Sequence, residues 1–164
     1  MKTPIKLDKK VVDMLAPKIE SELNAFYFYR AAANWCKNEG FFKAEAYFAE
    51  ESTEELEHAK DIENYLIDWN INVTLPVIET PPTFTSLDDV ISKAYTIEYE
   101  LYEAYEELAK KMFDTDVCTF NFLGKFLKIQ HDSVAKYSDM LNMLKGCDTA
   151  KHFMLLLEKK LFGK

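Results

Sequence analysis

A chain of 164 residues is long enough for one domain with a buried core, and 48% apolar with 29% charged residues is ordinary for a soluble protein. The net charge of −8 argues against nonspecific nucleic-acid binding. Only four glycines and five prolines, with abundant Glu, Lys, Ala and Leu, favour helix over sheet.

Residues 1–10 are charged and hold no apolar run, so no signal peptide is expected. The first predicted helix spans about 8–38. Its apolar stripe runs Val12, Leu15, Ile19, Phe26, Tyr29 and Ala33, in steps of three and four, with Glu22 interrupting it. Pro17 implies a kink or a later start. The second predicted helix spans about 41–69, beyond the stop at Gly40. Its stripe contains Phe41, Ala44, Phe48, Glu51 or Ser52, Glu55, His58 with Ala59, Ile62 and Leu66.

Residues 70–86 include Pro76, Pro81 and Pro82 and cannot continue a helix. Extended, they reach roughly 55 Å. A helix of about 28 residues measures about 42 Å, so this connection can cross the whole bundle and make the helices on either side parallel. The third predicted helix, about 87–113, starts from a Ser86–Asp89 capping pair and places Glu98 in the middle of Ile91, Ala94, Leu101, Tyr105, Leu108 and Met112. Its tyrosines read chiefly as core. A short turn leads to a fourth helix, about 119–145, with Leu123, Phe126, Gln130, Val134, Tyr137, Leu141 and Leu144 on one face. A fifth, about 149–162, starts at Asp148 or Thr149. The apolar cluster 153–157 is too short to span a membrane. The fold class expected is all-α: a four-helix bundle with a long crossover and a short C-terminal fifth helix, as a single domain over 1–164. Cys36, Cys118 and Cys147 are odd in number and widely spaced, which argues against disulfides and a CxxC metal site. Reduced thiols in a cytoplasmic protein are the simplest expectation.

Four helices thus each place one polar group in an apolar stripe: Glu22, Glu55 with His58, Glu98 and Gln130. Buried carboxylates need partners, and Arg30 is the only arginine in the chain. A metal is the economical partner. Glu55 and His58, at i and i+3, share a helix face. Mixed carboxylate and imidazole donors suit Fe(II), Mn(II) or Zn(II). Di-iron carboxylate bundles use one Glu on each of two helices and a Glu-x-x-His on each of the others. Against that template one metal receives Glu22, Glu55 and His58. A looser second metal receives Glu55 and Glu98, with Gln130 bound weakly or through water. Gln130-x-x-Ser133 replaces the second Glu-x-x-His.

The segments Glu22-Leu23, Tyr29 and Trp35, then 54–59 (Glu-Glu-Leu-Glu-His-Ala), 95–98 (Tyr-Thr-Ile-Glu), 119–123 (Thr-Phe-Asn-Phe-Leu) and Gln130-His131 resemble the bacterial non-haem ferritins over nearly the whole chain. The resemblance implies a homo-oligomeric shell of roughly 24 subunits that oxidises Fe(II) with O2 or peroxide and stores ferric mineral. It implies two irons per subunit at a ferroxidase centre of Glu22, Glu55, His58 and Glu98, with Gln130 nearby. Tyr29 would be an adjacent redox-active or hydrogen-bonding residue. No nucleic-acid or membrane partner is implied. Departures from the family pattern also carry expectations. Ile129, Asp132, Ser133 and Val134 stand where many relatives have further acids, which weakens a third iron site at Glu54 with help from Asp132. Leu56 stands where a haem-binding methionine would be, so no haem is expected. Phe120 and Leu123 replace an acidic channel pair, so iron admission by that route is not expected. A rubrerythrin-type di-iron oxidoreductase would want a second Glu-x-x-His and a rubredoxin-like cysteine set. A DNA-protecting miniature ferritin would carry a helix within the crossover. A structural bundle with a degenerate metal site would bind no iron.

Overall fold

A computed structural model describes residues 6–163; residues 1–5 and 164, and with them half of the charged segment read above for a signal peptide, lie outside the described residues. Within that span the chain forms α1 (Lys9–Leu15), α2 (Pro17–Glu39), α3 (Phe42–Asp68), α4 (Leu87–Met112), α5 (Val117–Leu144) and α6 (Lys151–Phe162). The all-α architecture expected from the sequence is the one observed. No helix among the described residues is long and apolar enough to cross a membrane.

The predicted first helix is two segments. Pro17 occupies the first position of α2, where its missing N–H costs least, and Ala16 is the joint. Asp8 caps α1 by accepting from the Lys10 amide at 2.8 Å. The inward face also differs in detail. Val11 and Ala25 are buried, whereas Val12 and Phe26 lie at the edge of the face. The small Ala25 and Ala32 are buried on the same helix.

Helix ends follow local chemistry. Gly40, at φ 86, closes α2 in the left-handed conformation, and Asn70, at φ 58, does the same after α3. Ser86 Oγ accepts from the Asp89 amide at 3.3 Å, while the Asp89 carboxylate reaches back to the Thr85 amide at 3.0 Å. Asp116 caps α5 two residues earlier than the pattern indicated. Ala150 begins α6 without a side-chain cap, and Asp148 instead bonds the Ala150 amide.

Cross-helix contacts set the directions. Tyr29 meets Glu98 and Tyr105 meets Glu22, so α2 and α4 are antiparallel. Lys136 meets Glu51, Lys125 meets Asp61 and Tyr65 stacks on Phe122, so α3 and α5 are antiparallel. Tyr105 stacks on Phe126, while Gln130 lies against Glu98, giving α4 antiparallel to α5. Helices α3 and α4 therefore run parallel, joined by the extended segment 70–86. That segment is pinned by Asn24 Oδ1 accepting from the Glu79 amide at 3.2 Å and by Phe84 packing on Phe28 and Trp35. Two apolar clusters fill the bundle on either side of its polar middle.

The short helix α6 does more than cover an end. Phe41, which precedes α3, offers no side-chain cap. The buried Glu158 carboxylate of α6 supplies it, accepting from the Lys43 amide at 3.0 Å and the Ala44 amide at 3.3 Å. Phe162 packs on Tyr47 and Phe48 beside it. Replacing Glu158 by Ala is expected to cost about 1–2 kcal/mol in chemical denaturation and to speed hydrogen exchange at Lys43 and Ala44. Unchanged exchange at those two amides would remove the cross-helix cap.

Candidate metal centre

The polar middle of the bundle holds the residues singled out from the sequence. Glu22 and Tyr29 come from α2, Glu55 and His58 from α3, Glu98 from α4 and Gln130 from α5. Glu22, Tyr29, Glu98 and Gln130 are fully buried, and Glu55 is 3% exposed. One oxygen or nitrogen from each of Glu22, Glu55 and His58 lies within 4.8 Å of the others. His58 Nδ1 is 3.0 Å from Glu55 Oε2 and 3.8 Å from Glu22 Oε2. The imidazole keeps 12% of its side-chain surface accessible, so the group reaches solvent on its side. Phe126 presents its ring edge-on to His58 at 6.0 Å.

The carboxylates are held by phenols. Tyr29 donates to Glu98 Oε1 and Tyr105 donates to Glu22 Oε1. Gln130, with its amide nitrogen toward α4, donates to Glu98 Oε2 at 2.7 Å and to the Glu98 carbonyl at 3.2 Å. Glu22 Oε2 meets no hydrogen-bond donor among the described residues. It faces the Glu55 and His58 side chains. A second charged carboxylate at that range repels it by at least about 3 kcal/mol at an effective dielectric near 20. An oxygen so placed calls for a proton or a cation.

Two tyrosines that the apolar stripes place in the core have polar partners. The structure gives Tyr105 a direct bond to Glu22, and Tyr137 a bond to Glu51 at 3.3 Å. Glu51, one of the two residues the α3 stripe allows at that position, is a fourth buried acid within the four long helices α2 to α5 and pairs with Lys136 at 3.0 Å. Its i−4 spacing from Glu55 was the available signal; the pairing partner is remote in sequence. Glu54 is exposed and lies outside the close group, although burial raises its carboxyl and Glu51 adds to the shift. Asp132 is also exposed and is paired with Lys128 at 2.7 Å. Leu123 points into the core, and Phe120 packs edge-on against Phe113 at 5.2 Å.

Burial is the leading electrostatic effect throughout. It raises Glu22 well above the usual carboxyl range, and the Glu55 charge adds to this. It raises Glu55 likewise, helped by Glu98. It lifts Glu98 to about 8, outweighing the opposing Tyr29 hydrogen bond. The unfolded chain releases these protons near the ordinary value of 4.5, whereas the folded chain retains them further up the scale. The folded state therefore binds more protons in that window, and its stability falls as pH rises. The metal-stripped protein is expected to lose melting temperature between about pH 5 and about pH 8, while added Zn(II) flattens the slope by replacing the protons. Calorimetry in chelator and in Zn(II) checks this; a melting temperature that climbs with pH in chelator contradicts it.

Comparison with known proteins gives the family and the fold. Residues 12–147 match the Ferritin family model, described as a ferritin-like domain. The chain is 30% identical over 141 residues to the bacterial non-heme ferritin of Campylobacter jejuni, covering 85% of this chain and 84% of that protein. It is 24% identical over 157 residues to the bacterial non-heme ferritin of Escherichia coli O157:H7, covering 94% and 95%. An open pore ferritin from the hyperthermophilic archaeon Archaeoglobus fulgidus superposes with a TM-score of 0.88 at 24% identity, over 97% of this chain and 99% of that one, a likeness of fold. With the family model spanning most of its length, the chain belongs to the ferritin-like domain family.

Proposed function

We propose that this chain is an iron-storage protein with ferroxidase activity, oxidising Fe(II) to Fe(III) at a two-iron centre inside each subunit. The product is kept as ferric mineral in a hollow homo-oligomeric shell of roughly 24 copies, a closed symmetric assembly. The observation that carries this reading is the close group of Glu22, Glu55 and His58 in the bundle interior, with the buried Glu98 near enough for its charge to raise the Glu55 carboxyl. Among the described residues, none of the three carboxylates forms an ion pair with a lysine or arginine. Membership of the ferritin-like family supports iron as the cation.

In this reading Glu22, Glu55 and His58 hold one iron, and Glu55 and Glu98 hold the other. Tyr105 orients Glu22 and leaves its Oε2 for metal, while Tyr29 and Gln130 orient Glu98 through one lone pair on each of its oxygens, leaving the second lone pairs for metal. Gln130 stands as a hydrogen-bond donor to Glu98, so the second position draws on fewer firm donors and loses its iron more readily. The protons that burial holds on the carboxyls leave as iron binds. Each Fe(II) gives up one electron. O2 takes the pair with two protons and departs as hydrogen peroxide; peroxide as oxidant takes the pair with two protons and departs as water. A site that binds, oxidises and releases suits storage better than a permanent cofactor does.

Aerobic addition of Fe(II) to metal-free protein tests this directly. A fast rise in ferric absorbance is expected to saturate near about two irons per chain, followed by slower continued uptake. Glu55→Gln, which weakens both positions, is expected to slow the fast phase by at least about tenfold. A wild-type rate no greater than that in buffer would sink the ferroxidase reading. A fast phase that ends with iron retained and no further uptake would replace storage by a fixed di-iron oxidoreductase.

A further inference from the structure

Glu51 is a buried acid of the bundle helices with no part in the two-metal scheme. Glu51 lies one turn before Glu55 on α3 and is 6% exposed. Both of its oxygens are taken by α5: Lys136 Nζ stands 3.0 Å from Oε1, and the Tyr137 hydroxyl donates to Oε2 at 3.3 Å. The ammonium also lies 4.8 Å from the centre of the Tyr47 ring, whose face attracts cations. Tyr137 in turn stacks on Tyr29, which holds Glu98. Glu51 and Lys136 are thus built into the same framework as the centre, and the charges of both reach Glu54 and Glu98.

A compact ammonium held by a carboxylate and an aromatic face is placed as a bound cation would be. Its tether gives it a high effective concentration at that position, so a free ion must displace it to bind Glu51. We infer that the Lys136 ammonium is a tethered cation occupying a further cation position at Glu51, and that it limits the centre to two free metal ions. This rests on the metal-centre reading proposed above.

Co(II) tests it without oxidation chemistry. Metal-free protein is titrated anaerobically and followed by visible absorbance and calorimetry. Wild type and Lys136→Arg are expected to bind about two Co(II) per chain, and Lys136→Met about three. Lys136→Gln is a second neutral variant should Lys136→Met fold poorly. Adding Glu51→Gln to the neutral variant is expected to return the count to about two. Neutral variants that bind the wild-type number with wild-type affinity would overturn the inference while leaving the two-metal centre in place. So would a further ion that survives Glu51→Gln. A wild type that binds no Co(II) would instead remove the metal-centre reading, and this inference with it.

Discussion

The rest of the structure answers to one constraint: three carboxylates are buried in the middle of an apolar bundle with no lysine or arginine among the described residues ion-paired to them. Such groups are costly to ionise in low dielectric and repel one another at close range. The protein moderates this with phenols. Tyr29 and Tyr105 each donate a hydrogen bond to one carboxylate oxygen, Gln130 donates to the second oxygen of Glu98, and the second oxygen of Glu22 has no donor among the described residues. The two aromatic–aliphatic clusters on either side supply the burial that holds the strained middle together. A cation converts this electrostatic cost into binding energy.

The positions of these groups follow from the chain's path. Antiparallel α2 and α4 bring Tyr29 to Glu98 and Tyr105 to Glu22 at matched heights. The extended segment 70–86 makes that pairing possible, because it returns the chain to the far end before α4 begins. Its prolines prevent it from coiling short of that distance. The same geometry places Glu55 of α3 opposite Glu22, and Gln130 of α5 against Glu98. A connection too short to span the bundle would reverse α4 and separate each carboxylate from its phenol.

Much of this was legible in the sequence. A polar residue that interrupts a 3.6-residue apolar stripe is visible without coordinates, and Glu22, Glu55, Glu98 and Gln130 all proved buried. The crossover was legible because proline forbids helix and length sets reach. Other features were not. Pro17 fixed a break, but sequence alone left open a kink or a late start. Neighbouring apolar residues such as Val11 and Val12, or Ala25 and Phe26, sit only 100° apart on a helix, so the stripe did not choose between them. Tyr105 looked like core because a phenol's partner is chosen by tertiary contact. Glu51 with Lys136, and Glu158 with the start of α3, are separated by 85 and about 115 residues, beyond any local pattern.

The central claim is that these carboxylates share cations. Its most direct measurement is anomalous diffraction from crystals of the protein soaked in Fe(II) without oxygen and collected on both sides of the iron absorption edge. The account predicts one iron peak among Glu22, Glu55 and His58 and a second, weaker one between Glu55 and Glu98. An interior without anomalous density, with iron found only at surface acids such as Glu54 or Asp132, would contradict it.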